Sequence, residues 1–508
     1  MNGFPWLTTL GVVPLVGAVV VGALPKGREV LAKQVALAAS LLTLLLTIVA
    51  ATRFKTDGPQ FQLTEHHTWI PSFGVSYAIG VDGIALVLIA MAAVLVPVVI
   101  IASWHEADQA RSPVKAYFAL VLVLETMIFG VFAATDVFLF YVFFEAMLVP
   151  VYFLIGSFGG PQRSYAAVKF LLYSLFGGLL MLAALIVLYV VSAHQLGTGT
   201  FDYARLVGLH IDAGTQKWLF GGFFVAFAIK APLWPLHTWL PDAAAESTPG
   251  TAVLLVGVLD KVGTFGMIRL CLPLFPDASK FFTPLVLVLA TVGILYGALV
   301  AIGQTDMMRL IAYTSVSHFG FITLGIFAMT TQGQAGATLY MVNHGFSTAG
   351  LFLIGGFLAS RRGSRLIADF GGVQRVAPLL AGSLLVMGLA TLALPGLNSF
   401  VSEFLVLVGT YTRYPVYAVL ATAGIVLAAI YVLLWYQRVA HGPVAEGVKG
   451  FRDLGGREVA ALAPLLALVV FLGFFPKPVL DVINPAVGHT LQRVGQTDPA
   501  PTVAGSTP

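Results

Sequence analysis

Phe227-Ala228-Ile229-Lys230-Ala231-Pro232-Leu233-Trp234-Pro235-Leu236-His237 sets one lysine and two prolines inside an otherwise apolar segment. A proline removes the backbone hydrogen bond to the carbonyl four residues back. Pro232 and Pro235 would therefore free the carbonyls of Ala228 and Ala231, on either side of Lys230. At the depth of a bilayer core, such carbonyls are tolerable only beside water, protein polar groups or an ammonium. The stretch reads as a broken membrane helix with a lysine at the break. A second interruption lies at Leu394-Pro395-Gly396-Leu397-Asn398-Ser399-Phe400-Val401-Ser402-Glu403. Pro395-Gly396 ends one half-helix, and Asn398 or Ser399 can cap the next. Glu403 then falls in or just after the first turn, where the helix dipole favours a carboxylate. Paired broken helices in two halves of a chain point to inverted repeats.

The composition fixes the solvent. Only 10% of the 508 residues are Asp, Glu, Lys or Arg and 58% are hydrophobic, whereas a soluble domain carries roughly 25% charged residues. The mean hydropathy is +0.92. No water-soluble fold covers that much apolar surface with so little charge, so the chain is expected in a bilayer. A span takes about 20 mostly apolar residues at ~1.5 Å each. By that ruler there are fourteen candidates, near 7–24, 34–52, 82–102, 115–133, 136–156, 165–191, 218–240, 250–272, 281–302, 306–328, 335–359, 380–409, 415–438 and 457–475. The first has no basic region ahead of it and no clear cleavage site before 24, so it reads as a retained helix. After 475 the chain turns polar, with no further long helix expected, and Thr497-Asp498-Pro499-Ala500-Pro501 reads as a loose tail.

With the N-terminus outside, the cytoplasmic connections hold 15 Lys/Arg and the opposite side 9. The positive-inside rule favours that assignment, with both termini outside. The net charge of +4 is spread out, which argues against a nucleic-acid partner. A single cysteine, Cys271, excludes a disulfide framework, a cysteine zinc site and a cysteine-ligated iron–sulfur cluster. Neither GxxxxGKS/T nor GxGxxG occurs, so no nucleotide fingerprint is present. The chain reads as carrying no redox cofactor of its own.

Five charges lie well inside spans: Glu145, Lys169, Lys230, Lys261 and Glu403. Each costs about 2.5–3.5 kcal/mol at the bilayer centre, so together they oppose insertion by roughly 12–18 kcal/mol. Such a set survives only if its members pair or face a hydrated interior. Lys169 lies one turn into its span, so snorkelling as an anchor is as good a reading as function. Glu125, in Leu124-Glu125-Thr126, reads as a helix–helix contact. For Glu145, Lys230, Lys261 and Glu403 together, a purely structural reading is poor.

A repeat is supported by arithmetic: Glu145 to His318 and Lys230 to Glu403 are both 173 residues. Residues 115–272 and 281–438 would then be two five-helix units, between spans 1–3 in residues 1–114 and a last span and tail in 439–508. His318 and His344 lie in different spans and are a conceivable pair of haem ligands. That reading requires further paired histidines at similar depth, and there are none. Proton carriage suits them better, because histidine titrates near neutral pH, and a neutral structural role for either is an equal alternative.

At these residues the chain resembles the antiporter-like membrane subunits of respiratory complex I, and among them the M-type. The resemblance covers essentially all fourteen spans. It is carried by Lys230-Ala231-Pro232, Leu236-His237-Thr238-Trp239-Leu240-Pro241-Asp242-Ala243, Lys261-Val262-Gly263 and Phe143-Phe144-Glu145-Ala146-Met147-Leu148-Val149-Pro150. Pro395-Gly396-Leu397-Asn398-Ser399-Phe400-Val401-Ser402-Glu403-Phe404 marks the M-type, because the L- and N-types and related antiporters usually carry lysine at the position of Glu403. The resemblance implies an all-α integral membrane fold of about 14 helices in two inverted repeats. It also implies a proton relay. Glu145 would pair with Lys230, Lys261 would pass the proton toward Glu403 past His318 and His344, and Lys169 and His237 would serve as relay or support. NADH, FMN, iron–sulfur clusters and quinone would belong to partner subunits, with L-type and N-type neighbours in the same bacterial inner membrane. Two alternatives share the local chemistry: an Mrp-type cation/proton antiporter, against which Glu403 argues, and the membrane subunit of a proton-pumping hydrogenase-type complex.

Overall fold

The computed structural model describes residues 3–109 and 112–500. In chain order its main helices begin with α1 (Trp6–Ala23), α2 (Glu29–Ala51), α3 (Gly83–Ala102) and α4 (Val114–Ala133). They continue with α5 (Val137–Phe158), α6 (Arg163–Leu196), α7 (Ala213–Lys230), α8 (Trp239–Glu246) and α9 (Pro249–Leu274). Next come α10 (Pro276–Ile302), α11 (Met307–Phe327), α12 (Thr331–Arg362), α13 (Pro378–Thr391) and α14 (Asn398–Tyr411). The chain closes with α15 (Pro415–Ala440), α16 (Gly456–Phe474) and α17 (Lys477–Val494). Among the described residues, twelve helices are long and apolar enough to cross a membrane. The two expected spans missing from that set are 218–240 and 380–409. Both are interrupted: the first is divided between α7 and α8, the second between α13 and α14.

Polarity sorts the helices by depth in the bundle. The best window of α2 is 28% buried and carries apolar side chains outward, whereas those of α9 and α12 are fully buried. α12 has the lowest mean hydropathy of the twelve, 1.2, because its polar residues point at other helices instead of lipid. In hydrocarbon the hydrophobic effect gives no preference for apolar residues inside, so polar side chains gather where they find partners. Short polar residues start several of these helices by accepting an N–H of the first turn: Asp136 from Leu139, Asp212 from Thr215 and Thr330 from Gly333. α9 is not uniform. Leu255–Leu259 and Met267–Cys271 wind as π-helix on either side of Lys261–Gly266.

Three features depart from the sequence reading. The connection before α3 is an antiparallel hairpin, β1 (Gln62–Ile70) with β2 (Val75–Val81), in which Gln62 faces Val81 and Ile70 faces Val75. Glu65 of β1 accepts the N–H of Leu7 at 2.8 Å and of Thr8 at 3.1 Å, tying the hairpin to the start of α1. A further helix does form past 475, where none was expected: α17 is 18 residues long. It buries Ile483, Ala486, Val487, Thr490, Leu491 and Val494, a spacing of three and four that makes one face. Beyond it, Asp498 Oδ1 accepts the N–H of Thr331 at 2.8 Å and Gln496 accepts from Arg413 at 2.6 Å. Of that tail, Pro501 lies outside the described residues. The cap of α14 differs as well: Leu397 is the N-cap and no side chain caps it. Asn398 instead donates to the Asn343 carbonyl at 2.9 Å, because α12 lies against it.

Candidate functional site

The break after Lys230 is local, and of the two carbonyls expected to be free, Ala231 O accepts no hydrogen bond among the described residues. Ala228 O, expected to be free, accepts the N–H of Leu233 at 2.9 Å, and Ile229 O accepts the Trp239 indole N–H at 2.9 Å. The chain thus re-forms longer-range bonds around the prolines, and leaves Lys230 as the last residue of α7. Its ammonium is fully enclosed and has no hydrogen-bond partner among the described residues. It lies 4.8 Å from the Phe144 ring and 5.7 Å from that of Phe170, where the ring faces attract a cation. Glu145, on α5, acts on Lys230 through its charge but makes no contact within 4.0 Å. The direct ion pair expected between them is therefore absent. Glu145 Oε1 is instead packed close against Gly178, where an added Cβ would lie 1.8 Å from it.

A run of polar groups leads from Lys261 to Glu403. Lys261 Nζ donates to Val256 O at 2.5 Å and lies 2.7 Å from His344 Nδ1. The rings of His344 and His318 meet edge to face with centroids 5.1 Å apart, and His318 lies 5.7 Å from the ring of Tyr340. Tyr340 donates to Glu403 Oε2 at 2.8 Å. All five side chains are buried. Four helices position them: α9 holds Lys261, α11 holds His318, α12 holds both Tyr340 and His344, spaced by four on one face, and α14 holds Glu403. Asn343 locks α12 to the restarted helix by donating to Asn398 O at 2.7 Å and to Ser402 Oγ at 3.1 Å. Tyr431 on α15 reaches His318 Nε2 at 3.4 Å.

The remaining candidates divide. Lys169 pairs with Asp242 at 2.6 Å, and Arg309 pairs with the other oxygen of the same carboxylate at 2.8 Å. This three-charge clamp joins α6, α8 and α11 and holds the Lys169 ammonium against a carboxylate of the protein. His237, in the turn between α7 and α8, is buried with its ring 5.1 Å from that of Tyr296 and, among the described residues, no partner at either nitrogen. Glu125 is buried on α4 with neither oxygen paired among the described residues. Sequence reasoning missed Asp260 and Arg269, although both are charges inside the 250–272 span. Asp260 is buried beside Lys261, and Arg269 forms a buried pair with Asp82 at 2.6 Å. Tyr340 and Tyr431 carried no sequence signal, because a tyrosine in an apolar span is ordinary.

A model of the NADH:quinone oxidoreductase/Mrp antiporter transmembrane family matches residues 134–430, which include both broken helices. The chain belongs to this family of antiporter-like, multi-pass helical membrane proteins. Within it, NADH-quinone oxidoreductase subunit M of Mycobacterium tuberculosis is 56% identical over 541 aligned residues, covering 100% of this chain and 98% of that protein. A chain of respiratory complex I from Thermus thermophilus superposes with a TM-score of 0.87 at 31% identity, covering 96% of this chain and 100% of that one. A chain of the Mrp complex from Dietzia sp. DQ12-45-1b shares the fold, with a TM-score of 0.84 at 22% identity over 96% and 98% of the two chains.

Proposed function

We propose that this chain is a proton-translocating M-type membrane subunit of a bacterial NADH:quinone oxidoreductase, and that it moves protons without handling electrons. The observation that carries the reading is the buried run Lys261–His344–His318–Tyr340–Glu403, with Lys230 and Glu145 at its other end. Ionisable side chains at this depth are costly, and membrane proteins retain them chiefly for ion pathways. The full-length similarity to a subunit M supports the same assignment. Glu403 favours it over an Mrp-type antiporter, whose position is usually lysine.

In this reading Lys230 takes a proton from the cytoplasmic side, and the charge of Glu145 sets how tightly it is held. Lys261 carries the proton through internal water past His344 and His318, and Glu403 delivers it outward. Lys169 and His237 support the first half. Residues 115–272 and 281–438 form two inverted five-helix units, with 1–114 and 439–508 outside them and both termini on the outer face. NADH, FMN, iron–sulfur clusters and quinone are held by partner subunits of the inner-membrane complex, and the L-type and N-type subunits flank this chain. Its input is then mechanical or electrostatic.

Vesicles containing the assembled complex, energised with NADH and read by a pH-sensitive dye, test this. Acidification should need neither sodium nor a second cation and should fall when Lys230 or Glu403 is neutralised. Full acidification by those variants would refute the reading, and strict sodium dependence would favour the antiporter alternative. Polypeptides copurifying in mild detergent would identify the neighbours.

A further inference from the structure

Asp260 takes no part in that relay. Its side chain is fully enclosed, and neither carboxyl oxygen has a hydrogen-bond partner among the described residues. A charge in such a place is costly unless another compensates it. Two cations act on it: Lys261, next in sequence, and Lys230, across a helix interface. Helix geometry explains the arrangement. Asp260, Gly263 and Gly266 recur every three residues and share one face of α9. A Cβ on Gly263 would lie 2.5 Å from both Phe227 O and Ala231 N, and one on Gly266 would meet the Phe227 ring. That face therefore looks at the C-terminal turn of α7, which carries Lys230. Lys261 is turned about 100° from it and reaches the opposite way, to His344 on α12. The preceding π-helical turn makes room: the Asp260 N–H bonds Leu255 O, five residues back, at 3.1 Å, and Val256 O is left to accept Lys261 Nζ. Such π-bulges recur at functional sites.

We propose that Asp260 is a relay carboxylate between Lys230 and Lys261, through which a proton crosses from the broken helix α7 to the run that leads from Lys261 to Glu403. The Lys230 ammonium gives its proton to the Asp260 carboxylate, leaving a neutral amine and a neutral acid. The acid gives the proton to the neutral amine of Lys261, leaving a carboxylate and an ammonium. No charge is created in either step beyond what is transferred. Asp260 also balances the row. With Glu145 and Asp260 ionised and Glu403 neutral, both lysines hold protons and the core has no net charge. The inference rests on the proton-translocation reading.

The test is made on the assembled complex in vesicles, measuring protons moved per NADH oxidised across pH for Asp260→Asn and Asp260→Glu, with Lys230→Ala alongside. Asp260→Asn should lower the yield several-fold, and Asp260→Glu should restore most of it with a shifted pH profile. A purely structural acid would move neither yield nor profile in the assembled complex. Wild-type yield and profile in Asp260→Asn, with Lys230→Ala collapsed, overturn this proposal alone. Full yield in both variants overturns the translocation reading beneath it as well. Should Asp260→Asn not assemble, Asp260→Glu decides: a shifted profile supports the relay and an unshifted one overturns it.

Discussion

Tyr340 gives its hydroxyl hydrogen to Glu403 across the interface between α12 and α14, at 2.8 Å. The contact ends the polar chain on a carboxylate at a restarted helix, and it makes Glu403 the group whose replacement is most informative. Glu403→Asp keeps the acid on a shorter stem and should retain partial pumping. Glu403→Lys should retain a little, because a lysine is charged when protonated, the reverse of a carboxylate. Glu403→Ala should lose most of it, while NADH oxidation by artificial acceptors persists. Dye-monitored acidification of vesicles checks the order. Tyr340→Phe should weaken pumping less than Glu403→Ala, since a buried acceptor loses one neutral hydrogen bond, worth about 1 kcal/mol.

Glu145→Gln should lower quinone-linked pumping several-fold with the complex still assembled. Its charge is felt by Lys230 without direct contact, so the substitution removes an electrostatic influence and no packing. Gly178→Ala tests the same seat from the other side, because the new methyl would occupy the place of Glu145 Oε1. It should lower pumping too. Assembly followed on native gels separates the two effects, and unchanged proton yield in both variants would show that Glu145 is idle.

Asp242→Asn should destabilise the subunit more than Lys169→Gln or Arg309→Gln. One carboxylate serves two cations, at 2.6 and 2.8 Å, so its loss strands both. Breaking a fully buried pair costs about 3–5 kcal/mol. The Arg309 side chain here is 37% exposed, so solvent screening reduces the figure to about 1–2 kcal/mol. Thermal denaturation of the detergent-solubilised complex measures the order, and equal losses in all three variants would contradict the shared-anchor geometry.

Glu106 gives a pH-dependent prediction. It lines a cavity of about 360 Å³ between Ser247–Pro249 and Arg457. Burial pushes its carboxyl above the usual range, against hydrogen bonds from Ser103 and the Gly250 N–H and the charge of Arg457. A raised acid binds its proton more tightly folded than unfolded, so its stabilising contribution is full below the unfolded value, about 4.3. It is lost as pH rises through the raised folded value. Glu106→Gln should therefore raise the melting temperature at neutral and alkaline pH by about 1–3 °C and have no benefit in acid. Melting curves across pH check it, and a benefit confined to acid would reverse the sign and refute it.

The sequence by itself determined the solvent, the positions of the spans and the two breaks. Hydropathy over twenty residues, proline chemistry and the cost of a buried charge are local properties, and each can be read along the chain. They were enough to single out Lys230, Lys261 and Glu403. They did not reach α17, because a one-sided amphipathic helix of modest hydropathy looks like a polar tail until it has a surface to lie on. They did not reach the hairpin either, whose pairing depends on two segments meeting. Only the tertiary structure decided which charges touch. It left Glu145 out of contact with Lys230 and close against Gly178, joined Lys261 to His344 across two helices, and brought Tyr340 to Glu403 although they are 63 residues apart in sequence. It also turned Asp260 and Lys261, neighbours in sequence, toward different helices. In hydrocarbon a polar group must find its partner within the protein, and which partner it finds depends on how the helices cross, which one strand of sequence does not record.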